Sequence, residues 1–331
     1  MRLLIVRLSA MGDIVHALPL AENARAAGAT VGWAVEAPFA GLLEGNPNCS
    51  RLFTARTRQW RRRVLSSSTW REIRALRGAL REFAPDRSID AQGLWKSAFV
   101  ARSAGAPVVG LAASARREPG SALLCGIRVV PGAAAQHAVD RNLALLSALG
   151  LPARRTAPDA RYLLSRPNAE GEEFVARLPR PFAVLHPGAG RPEKIWGEER
   201  FARLGVALRE ARGLHPVVSW GPGDQERAAR LCALLPGSSR APLLDFAGLA
   251  RLLAAASLVV AGDTGPLHLA DAVGASTLAL FGTSAAERNA PAQNGPYRNP
   301  EGVVTRMREV SDSEVLDRAV AMLERPLTPA L

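Results

Sequence analysis

The sequence predicts an α/β protein of two doubly wound domains that face one another, and three observations support this. The chain has 331 residues, which is long for a single hydrophobic core. It is 48% hydrophobic, so two cores can be buried. Short apolar runs, small-residue turns and amphipathic stretches alternate in two blocks on either side of about residue 165, with no internal repeat. We therefore expect domains at residues 1–165 and 166–331.

The stretch Ser257–Thr283 shows the strand–turn–helix–strand unit most clearly. Leu258–Ala261 is an apolar run typical of a buried parallel strand, the turn Asp263-Thr264-Gly265 opens a helix that includes His268, and Ser276–Phe281 returns as a strand. Ligands of open α/β sheets bind beyond the carboxyl ends of the strands, and helix starts favour anions. The turn is therefore a candidate seat for a diphosphate, although an ordinary helix N-cap explains the same residues.

The first block opens with a strand over residues 2–8 and a helix from about Ile14, joined by a small-residue turn that is not the GxGxxG of dinucleotide-binding folds. Asp13 lies at the start of that helix, where the helix N-terminus stabilises a carboxylate. It can be a simple cap, or a general base at the carboxyl edge of a sheet.

The rest of the first block continues the alternation. We expect the following elements, in order: a strand at Val31–Glu36, a strand ending in the turn Ser88–Gly93, a helix at Leu94–Ser103 that contains Lys96, a strand at Val108–Leu111, a loop at Arg116–Pro119, and a helix at His137–Leu149. The first turn of the last helix presents His137 and Arg141 on one face. A single His on a helix is usually structural.

The segment Arg56–Arg81 is the most basic part of the chain, with nine Arg and one acidic residue, Glu72. Its helical spacing predicts one apolar face and one cationic face. The predicted apolar residues are Trp70, Ile73, Leu76, Leu80 and Phe83, and the predicted cationic stripe is Arg71, Arg74, Arg77 and Arg81. Such a run is often only solvated surface, but its charge also suits nucleic acid or phosphate-bearing lipid at a membrane face.

The second block begins after a Pro-rich segment, residues 151–181, in which we place the domain crossing. A strand at Phe182–His186 runs into a loop that contains Gly188, Ala189 and Lys194, and such a loop can hold phosphate through backbone amides and one ammonium group. A strand at Val217–Trp220 ends near Asp224, an acid that could bind a ribose.

Two more helices complete the prediction. A short helix at Gly248–Ala256 precedes the central stretch, and a last helix at Ser311–Arg325 is capped by Ser311 or Asp312 after an irregular segment at Ala290–Pro300. This last helix could pack back toward the first domain.

Composition narrows the class of protein further. The formal charge is +12, and of the 42 basic residues all but Lys96 and Lys194 are Arg. We interpret these two as positions where a guanidinium does not serve. The three cysteines lack paired spacing, and we expect them to be reduced and mostly buried in the core.

No apolar segment is long enough for a membrane span and the first residues do not form a signal peptide. We therefore expect a cytoplasmic protein.

Seven motifs together resemble the lipopolysaccharide heptosyltransferases across nearly the whole chain. In order they are LSAMGDIVHALP, IDAQGLWKSA, ARREP, QHAVDR, EKIW, WGPGDQERA and GDTGPLHLA. Within that family, IDAQG-x-x-KSA followed by REP points to the enzymes that add the first heptose rather than the second.

The resemblance implies a GT-B architecture, with an N-terminal acceptor domain, a C-terminal nucleotide-sugar domain and a cleft that closes on substrate. It implies inverting transfer of L-glycero-D-manno-heptose from its ADP derivative to Kdo-lipid A, at the cytoplasmic face of the inner membrane, with no nucleic-acid partner. By similarity, Asp13 is the general base and Lys194 neutralises the leaving diphosphate. The motif Asp263-Thr264-Gly265, with His268 shortly after it, binds the donor. Asp224 falls where the family binds ribose, with Gln225 or Glu226 as substitutes because the turn is one residue shorter.

The acceptor residues implied by the resemblance are all in the first domain: Arg58, Arg61, Lys96, Arg117, His137 and Arg141. One departure concerns the donor loop, because Gly188 and Ala189 stand where enzymes of the first transfer commonly have two threonines, and Pro187-Gly188-Ala189 is more similar to enzymes of the second. No Asp-x-Asp occurs, so neither a metal nor another cofactor is expected, and Lys194 with the helix starts must supply positive charge. The alternatives are a related ADP-sugar transferase with another acceptor, and a non-catalytic basic binder of nucleic acid or membrane surface.

Overall fold

The computed structural model describes residues 1–282, 286–292 and 302–324. It divides into a first unit, Met1–Thr156, and a second unit, Ala157–Leu331. The division lies before residue 165, the boundary expected from the sequence. The segment in between belongs with the second unit because the Ala160 N–H donates to the carbonyl oxygen of Ala272 at 2.9 Å.

A six-stranded parallel sheet forms the centre of the first unit, with strand order β3-β2-β1-β4-β5-β6. Its strands are β1 (Arg2–Val6), β2 (Thr30–Glu36), β3 (Arg51–Ala55), β4 (Arg87–Asp90), β5 (Val108–Leu111) and β6 (Ile127–Val129). The inner strands are apolar on both faces because helices cover both sides of a doubly wound sheet. β1, β2, β4 and β5 confirm the predicted strands, whereas β3 and β6, both short and next to loops, carried too weak an alternation to be predicted.

Seven α-helices belong to the first unit, all of whose residues are described. They are α1 (Met11–Val15), α2 (Leu18–Ala26), α3 (Ala40–Leu43), α4 (Thr57–Arg62), α5 (Ser67–Phe83), α6 (Trp95–Ser103) and α7 (Ala138–Ser147). The single helix expected after β1 is broken into α1 and α2, and Pro19 at the start of α2 favours a new helix start there.

The second unit repeats the same topology. Its sheet has the order β12-β11-β10-β7-β8-β9, all parallel. The strands are β7 (Phe182–His186), β8 (His215–Val218), β9 (Ser239–Arg240), β10 (Leu258–Gly262), β11 (Thr277–Leu280) and β12 (Val303–Val304). The helices in its described part are α8 (Ala169–Arg177), α9 (Glu198–Arg212), α10 (Gln225–Leu234), α11 (Phe246–Ala254), α12 (Gly265–Ala272), α13 (Ala286–Asn289) and α14 (Asp312–Glu324).

The last helix, α14, packs on α9 of its own unit. Val315, Ala319 and Met322 are buried in the core cluster of the second unit, and the Glu314 N–H donates to Ser311 Oγ at 3.1 Å, so Ser311 is the capping side chain. This packing on α9 lies within the second unit, and the packing of the last helix toward the first domain stays a prediction. Arg325, Thr283 and most of the predicted irregular segment lie outside the described residues.

The basic segment forms two helices, α4 and α5, with its arginine stripe exposed as predicted. Leu80 and Phe83 are buried in the first-unit core, and Leu76 packs against it. The prediction for Trp70 was wrong, since it is 50% exposed, and its indole Nε1–H donates to the Val64 carbonyl oxygen at 2.8 Å. A side chain with an N–H donor in the first turn of a helix can hydrogen-bond to the preceding loop instead of packing in the core. The spacing of apolar residues does not reveal such a contact.

The cysteines are free in the structure, but only Cys125 is buried, while Cys49 and Cys232 are half-buried. The expectation of mostly buried cysteines was therefore wrong for two of the three. Among the described residues no helix has the length and apolar character that crossing a membrane requires.

A buried ion pair fixes the loops that follow β4 and β5. Arg116 Nη1 lies 3.0 Å from Asp90 Oδ2, and neither side chain is exposed. Arg116 also donates to Ser121 Oγ, Cys125 Sγ and the Leu111 carbonyl oxygen, so its guanidinium is held on every side. A side chain on Gly110 would meet Arg116 Nη2 at 2.0 Å, so only glycine fits there.

Replacing Arg116 with alanine should destabilise the protein by about 3–5 kcal/mol, because the Asp90 carboxylate would be left buried and unpaired. Urea unfolding of the full chain measures this. Arg117→Ala, in the same loop but exposed, is the matched control and should change the free energy of unfolding by about 0.5 kcal/mol or less. Equal effects of the two substitutions would contradict the structural role of Arg116.

Candidate functional site

Each sheet reverses its strand order at one point, between β1 and β4 in the first unit and between β7 and β10 in the second. In open α/β sheets the crevice at the carboxyl ends of such strands is where ligands bind. The segments that follow these four strands carry Asp13 in the first turn of α1, Lys96 in the first turn of α6, and Lys194 and Asp263 in the two connections of the second unit. The structure therefore places the principal predicted residues at the two switch points.

Asp13 lies in the first turn of α1, after β1. Its Oδ2 accepts a hydrogen bond from the Ala10 N–H at 3.3 Å, its Oδ1 lies 2.6 Å from Arg7 Nη2, and its side chain is 48% exposed. Arg7 is itself anchored to the carbonyl oxygen of Ala91. Asp13 thus combines a capping contact with an accessible carboxylate held by a guanidinium. Sequence reasoning missed Arg7, although its place directly after β1 was a usable signal.

Lys194 and Asp263 meet at the switch point of the second sheet. Lys194 Nζ donates to Asp263 Oδ2 at 2.5 Å and to the Asp263 carbonyl oxygen at 3.2 Å. His268 Nε2 lies 3.2 Å from the other carboxylate oxygen, Oδ1, from the first turn of α12. Burial raises the pKa of Asp263, but His268 and Lys194 outweigh it and hold that pKa below its usual range. The pair therefore presents a lysine ammonium beside a carboxylate that stays ionised.

Close backbone approaches explain how Lys194 reaches this position. A Cβ on Gly262, the last residue of β10, would lie 2.8 Å from the carbonyl oxygen of Lys194, and a Cβ on Gly282 would lie 2.7 Å from that of Glu193. The turn Pro192–Lys194 therefore lies directly on the ends of β10 and β11. Glycine is needed at both positions because a side chain would not fit there, and not because of an unusual φ.

The N-terminus of α12 completes this part of the site. Thr264 is the N-cap in an extended conformation, but its hydroxyl does not cap the helix. Its buried Oγ1 has no hydrogen-bond partner among the described residues. Gly265 begins the helix and Pro266 has no N–H, so the N–H groups of Gly265 and Leu267 and the Thr264 hydroxyl lie at a position that favours an anion.

The loops after β7 and β8 also meet. A Cβ on Gly188 would lie 2.3 Å from Asp224 Oδ2, so the carboxylate occupies the space that a side chain at 188 would need. Burial raises the pKa of Asp224, and Arg227, whose Nε is 3.8 Å away, lowers it in part. Ala189 is half-buried beside Gly188, while Gln225 and Glu226 are exposed at the start of α10. Gly188, which departs from the family pattern, thus leaves free the space that the Asp224 carboxylate occupies.

His186 is a further polar residue at this edge that sequence reasoning did not single out. Its Nδ1 lies 3.0 Å from Ser219 Oγ, and full burial lowers the pKa of its imidazole to about 4. It is therefore neutral near pH 7 and links the ends of β7 and β8. Within the described ranges no three His, Cys, Asp or Glu side chains cluster closely enough to hold a metal ion.

The predicted acceptor residues form two groups in the first unit. The first surrounds Glu36, which is 2% exposed at the end of β2 and accepts hydrogen bonds from Thr57 Oγ1 at 2.7 Å and from the Arg58 N–H at 3.0 Å. Burial lowers the pKa of Lys96, Glu36 raises it in part, and Arg58 and Arg61 lower it further. The charges of Lys96, Arg58 and Arg61 therefore interact, and the Glu36 carboxylate, which was not predicted, lies close to them.

The second group lies around the turn after β5. Arg141 Nη2 donates to the Ala115 carbonyl oxygen at 2.6 Å, and Arg117 is exposed in the next loop. His137 is the N-cap of α7: its Nδ1 accepts the Val139 N–H at 3.2 Å, its ring lies edge-on to His16, and it is 3% exposed. That environment matches the structural alternative for His137.

The fold and these residues define a class: two Rossmann-like domains of the GT-B type, whose switch points carry a carboxylate in one unit and a lysine, an acid and a helix N-terminus in the other. Residues 73–311 match the family model of glycosyltransferase family 9 (heptosyltransferase). The chain belongs to that family and is a glycosyltransferase.

Curated relatives and solved structures that are similar to this chain support the same family. Lipopolysaccharide heptosyltransferase 1 of Pseudomonas aeruginosa is 37% identical over 287 residues, which is 85% of this chain and 79% of that protein. The protein of the same name from Escherichia coli K12 is 34% identical over 290 residues, 85% of this chain and 88% of that one. The E. coli heptosyltransferase WaaC with ADP has a TM-score of 0.79 at 28% identity, covering 97% of this chain and 100% of that one. WaaC is also solved with ADP-2-deoxy-2-fluoro heptose, with a TM-score of 0.77 at 28% identity, over 97% of this chain and 99% of that one.

Gly262→Ala should weaken ADP binding by about 10-fold or more, because the new Cβ must push the carbonyl of Lys194 away and displace its ammonium group. Isothermal titration calorimetry measures the affinity. Gly190→Ala is the matched control, since a Cβ there meets nothing within 4 Å and its φ needs no glycine. Unchanged ADP affinity in Gly262→Ala would contradict the positioning of Lys194 by this contact.

Proposed function

We propose that this chain is an inverting, metal-independent heptosyltransferase that transfers L-glycero-D-manno-heptose from ADP-heptose to Kdo-lipid A, the first heptose transfer of lipopolysaccharide inner-core synthesis. The observation that carries the proposal is the group formed by Lys194, Asp263 and the start of α12, in a chain that resembles heptosyltransferases over most of its length. Relatives named for the first transfer support that choice of acceptor.

The donor side of the proposal assigns the leaving diphosphate to Lys194 and the N-terminus of α12. The ammonium group of Lys194, whose side chain is 23% exposed, lies beside the N-terminus of α12, and together they stabilise negative charge that develops as the glycosidic bond breaks. The Asp263 carboxylate holds the ammonium in place. Asp224, against Gly188, is proposed to bind the ribose, because its carboxylate does not cap α10 and is half-buried.

The acceptor side assigns the general base to Asp13. Its exposed carboxylate can take the proton of an attacking hydroxyl, which inversion requires from a base behind the nucleophile. Arg7 orients this carboxylate through the 2.6 Å contact. Arg58, Arg61, Lys96 and Arg117 are proposed to meet the acidic sugar and phosphate groups of the acceptor, with Arg141 and His137 shaping the neighbouring loop.

We also propose that the basic segment contacts an anionic membrane surface at the cytoplasmic face. Exposed arginines surround Val64, Leu65 and Trp70, which are 52%, 97% and 50% exposed. Basic side chains that frame exposed apolar residues suit the boundary between lipid headgroups and acyl chains.

Incubating the protein with ADP-heptose and either Kdo-lipid A or its singly heptosylated product tests the reaction. We expect transfer to Kdo-lipid A and little to the heptosylated product. Preference for the heptosylated product would assign the second transfer, which the sequence Pro187-Gly188-Ala189 favours. Transfer to neither would defeat the proposal.

Asp13→Asn should bind ADP normally and lose about 10²–10⁴-fold in kcat, because an amide cannot accept the proton of the acceptor hydroxyl. Steady-state kinetics and calorimetry measure the two effects. Asp86→Asn is the control, since Asp86 is exposed at the start of β4 and only accepts the Arg2 N–H. Full activity in Asp13→Asn would remove Asp13 from the chemistry.

Replacing Arg62, Arg63, Arg71 and Arg74 together with glutamine should weaken binding to anionic vesicles by about 100-fold or more at low salt, since each basic residue near the surface contributes about 1 kcal/mol. Vesicle cosedimentation measures this, and ADP affinity should not change. The control variant loses the same charge from the exposed residues Arg177, Arg203, Arg212 and Arg240. Equal vesicle binding by the two variants would exclude a specific membrane face.

A further inference from the structure

A groove of about 880 Å³ runs along the surface of the first unit, between α5 and α6 and beside the start of β5. Its volume is within the range of pockets that bind small ligands. Four of its lining residues are basic and none is acidic. The groove is built from a single unit, all of whose residues are described.

The floor of the groove is apolar. Val100 and Val108 are buried members of the first-unit core, and Leu76 packs against the same cluster from α5. Phe99 on α6 also lines the groove, is 58% exposed, and stacks on Trp95 with ring centroids 5.9 Å apart. Exposed aromatic rings beside an apolar floor are costly in water unless hydrocarbon covers them.

The groove begins among the predicted acceptor residues. Thr57, which donates to Glu36, and Lys96 both line it. It then follows α6 from Lys96 to Ser103, about 10 Å along the helix axis at about 1.5 Å per residue. A molecule whose polar group lies at Lys96 therefore has an apolar channel directly beside it.

Cations surround the apolar floor. Arg77, Arg81 and Arg102 line the groove and are exposed, and among the described residues none of them forms an ion pair. By contrast, Arg51 and Arg56 nearby lie 3.0 and 4.0 Å from Glu82 and Glu72. The groove thus retains uncompensated positive charge around a hydrocarbon-lined surface.

We propose that this groove binds an acyl chain of the phosphate-bearing lipid acceptor, with hydrocarbon on Leu76, Phe99 and Val100 and phosphate oxygens on the surrounding arginines. The inference rests on the proposed function, because it takes the acceptor to be a lipid. It adds a site for the part of the acceptor that does not react. Binding energy gained there lowers the KM for the acylated acceptor without changing the chemical step.

Calorimetric titration with lysophosphatidates below their micelle concentration tests the groove without turnover. For octanoyl, decanoyl and dodecanoyl chains we expect affinity to rise about 10-fold for each two methylenes. Glycerol 3-phosphate, which has no chain, and monodecanoylglycerol, which has no phosphate, should each bind at least about 10-fold more weakly than decanoyl lysophosphatidate. Equal binding of the uncharged lipid would mean a general apolar site, open also to peptides, and would overturn the assignment.

Ser103→Phe should block the groove, since Ser103 lines it half-buried. We expect at least a 10-fold loss of affinity for decanoyl lysophosphatidate, with ADP affinity unchanged. Ala75→Phe, exposed on α5 outside the groove, is the matched control. If Ser103→Phe does not fold, the triple variant R77Q/R81Q/R102Q gives the same test, with R177Q/R212Q/R240Q, exposed on the second unit, as its control. Wild-type lipid affinity in the groove variant would overturn the proposal.

Kinetics then connect the groove to the acceptor. With fully acylated acceptor, Ser103→Phe should raise KM about 10-fold at unchanged kcat, whereas with deacylated acceptor both parameters should equal those of the wild type. Equal KM changes for both acceptors would overturn an acyl-chain site. Absence of transfer by the wild type to either acceptor would instead defeat the proposed function, while the lipid titration would still report on the groove.

Discussion

The reversal of strand order in each parallel sheet is the constraint on which the rest of this protein depends. At that point the two neighbouring loops leave the same edge of the sheet in opposite directions and open a crevice between them. In the first unit the crevice follows β1 and β4, and in the second it follows β7 and β10. The contact of Arg7 with Asp13 lies at the first of these positions, and the contact of Lys194 with Asp263 lies at the second.

In the second unit, close packing of backbone on backbone turns that crevice into a charged site. Gly262 ends β10 and Gly282 follows β11, both without side chains, and the turn Pro192–Lys194 occupies the space. A lysine suits this position because its thin stem carries one compact charge, whereas a guanidinium fork needs more room. The contact with Asp263 then holds the ammonium beside the start of α12. This accounts physically for one of the two lysines in an arginine-dominated chain.

The first unit differs in that it accommodates many cations without losing stability. Arg116 is neutralised by Asp90 in the interior, and the buried Glu36 carboxylate lies near Arg58, whose backbone N–H donates to it. Others stay exposed on α4 and α5, next to apolar side chains that are equally exposed. The combination of unpaired positive charge and accessible hydrocarbon surface distinguishes this face from ordinary solvated arginine. It is the physical basis for assigning lipid to it rather than nucleic acid.

The sequence by itself determined the two doubly wound units, most of their inner strands and the turns that hold Asp13, Lys194 and Asp263, because apolar runs and turn residues are local signals. Only the tertiary structure decided which Arg of the loop Arg116–Pro119 is buried, that Asp224 fills the space beside Gly188, and that Glu36 organises the cations around Lys96. Those choices depend on residues far apart in the chain that meet at a sheet edge, and their short polar contacts leave no periodic pattern in the sequence.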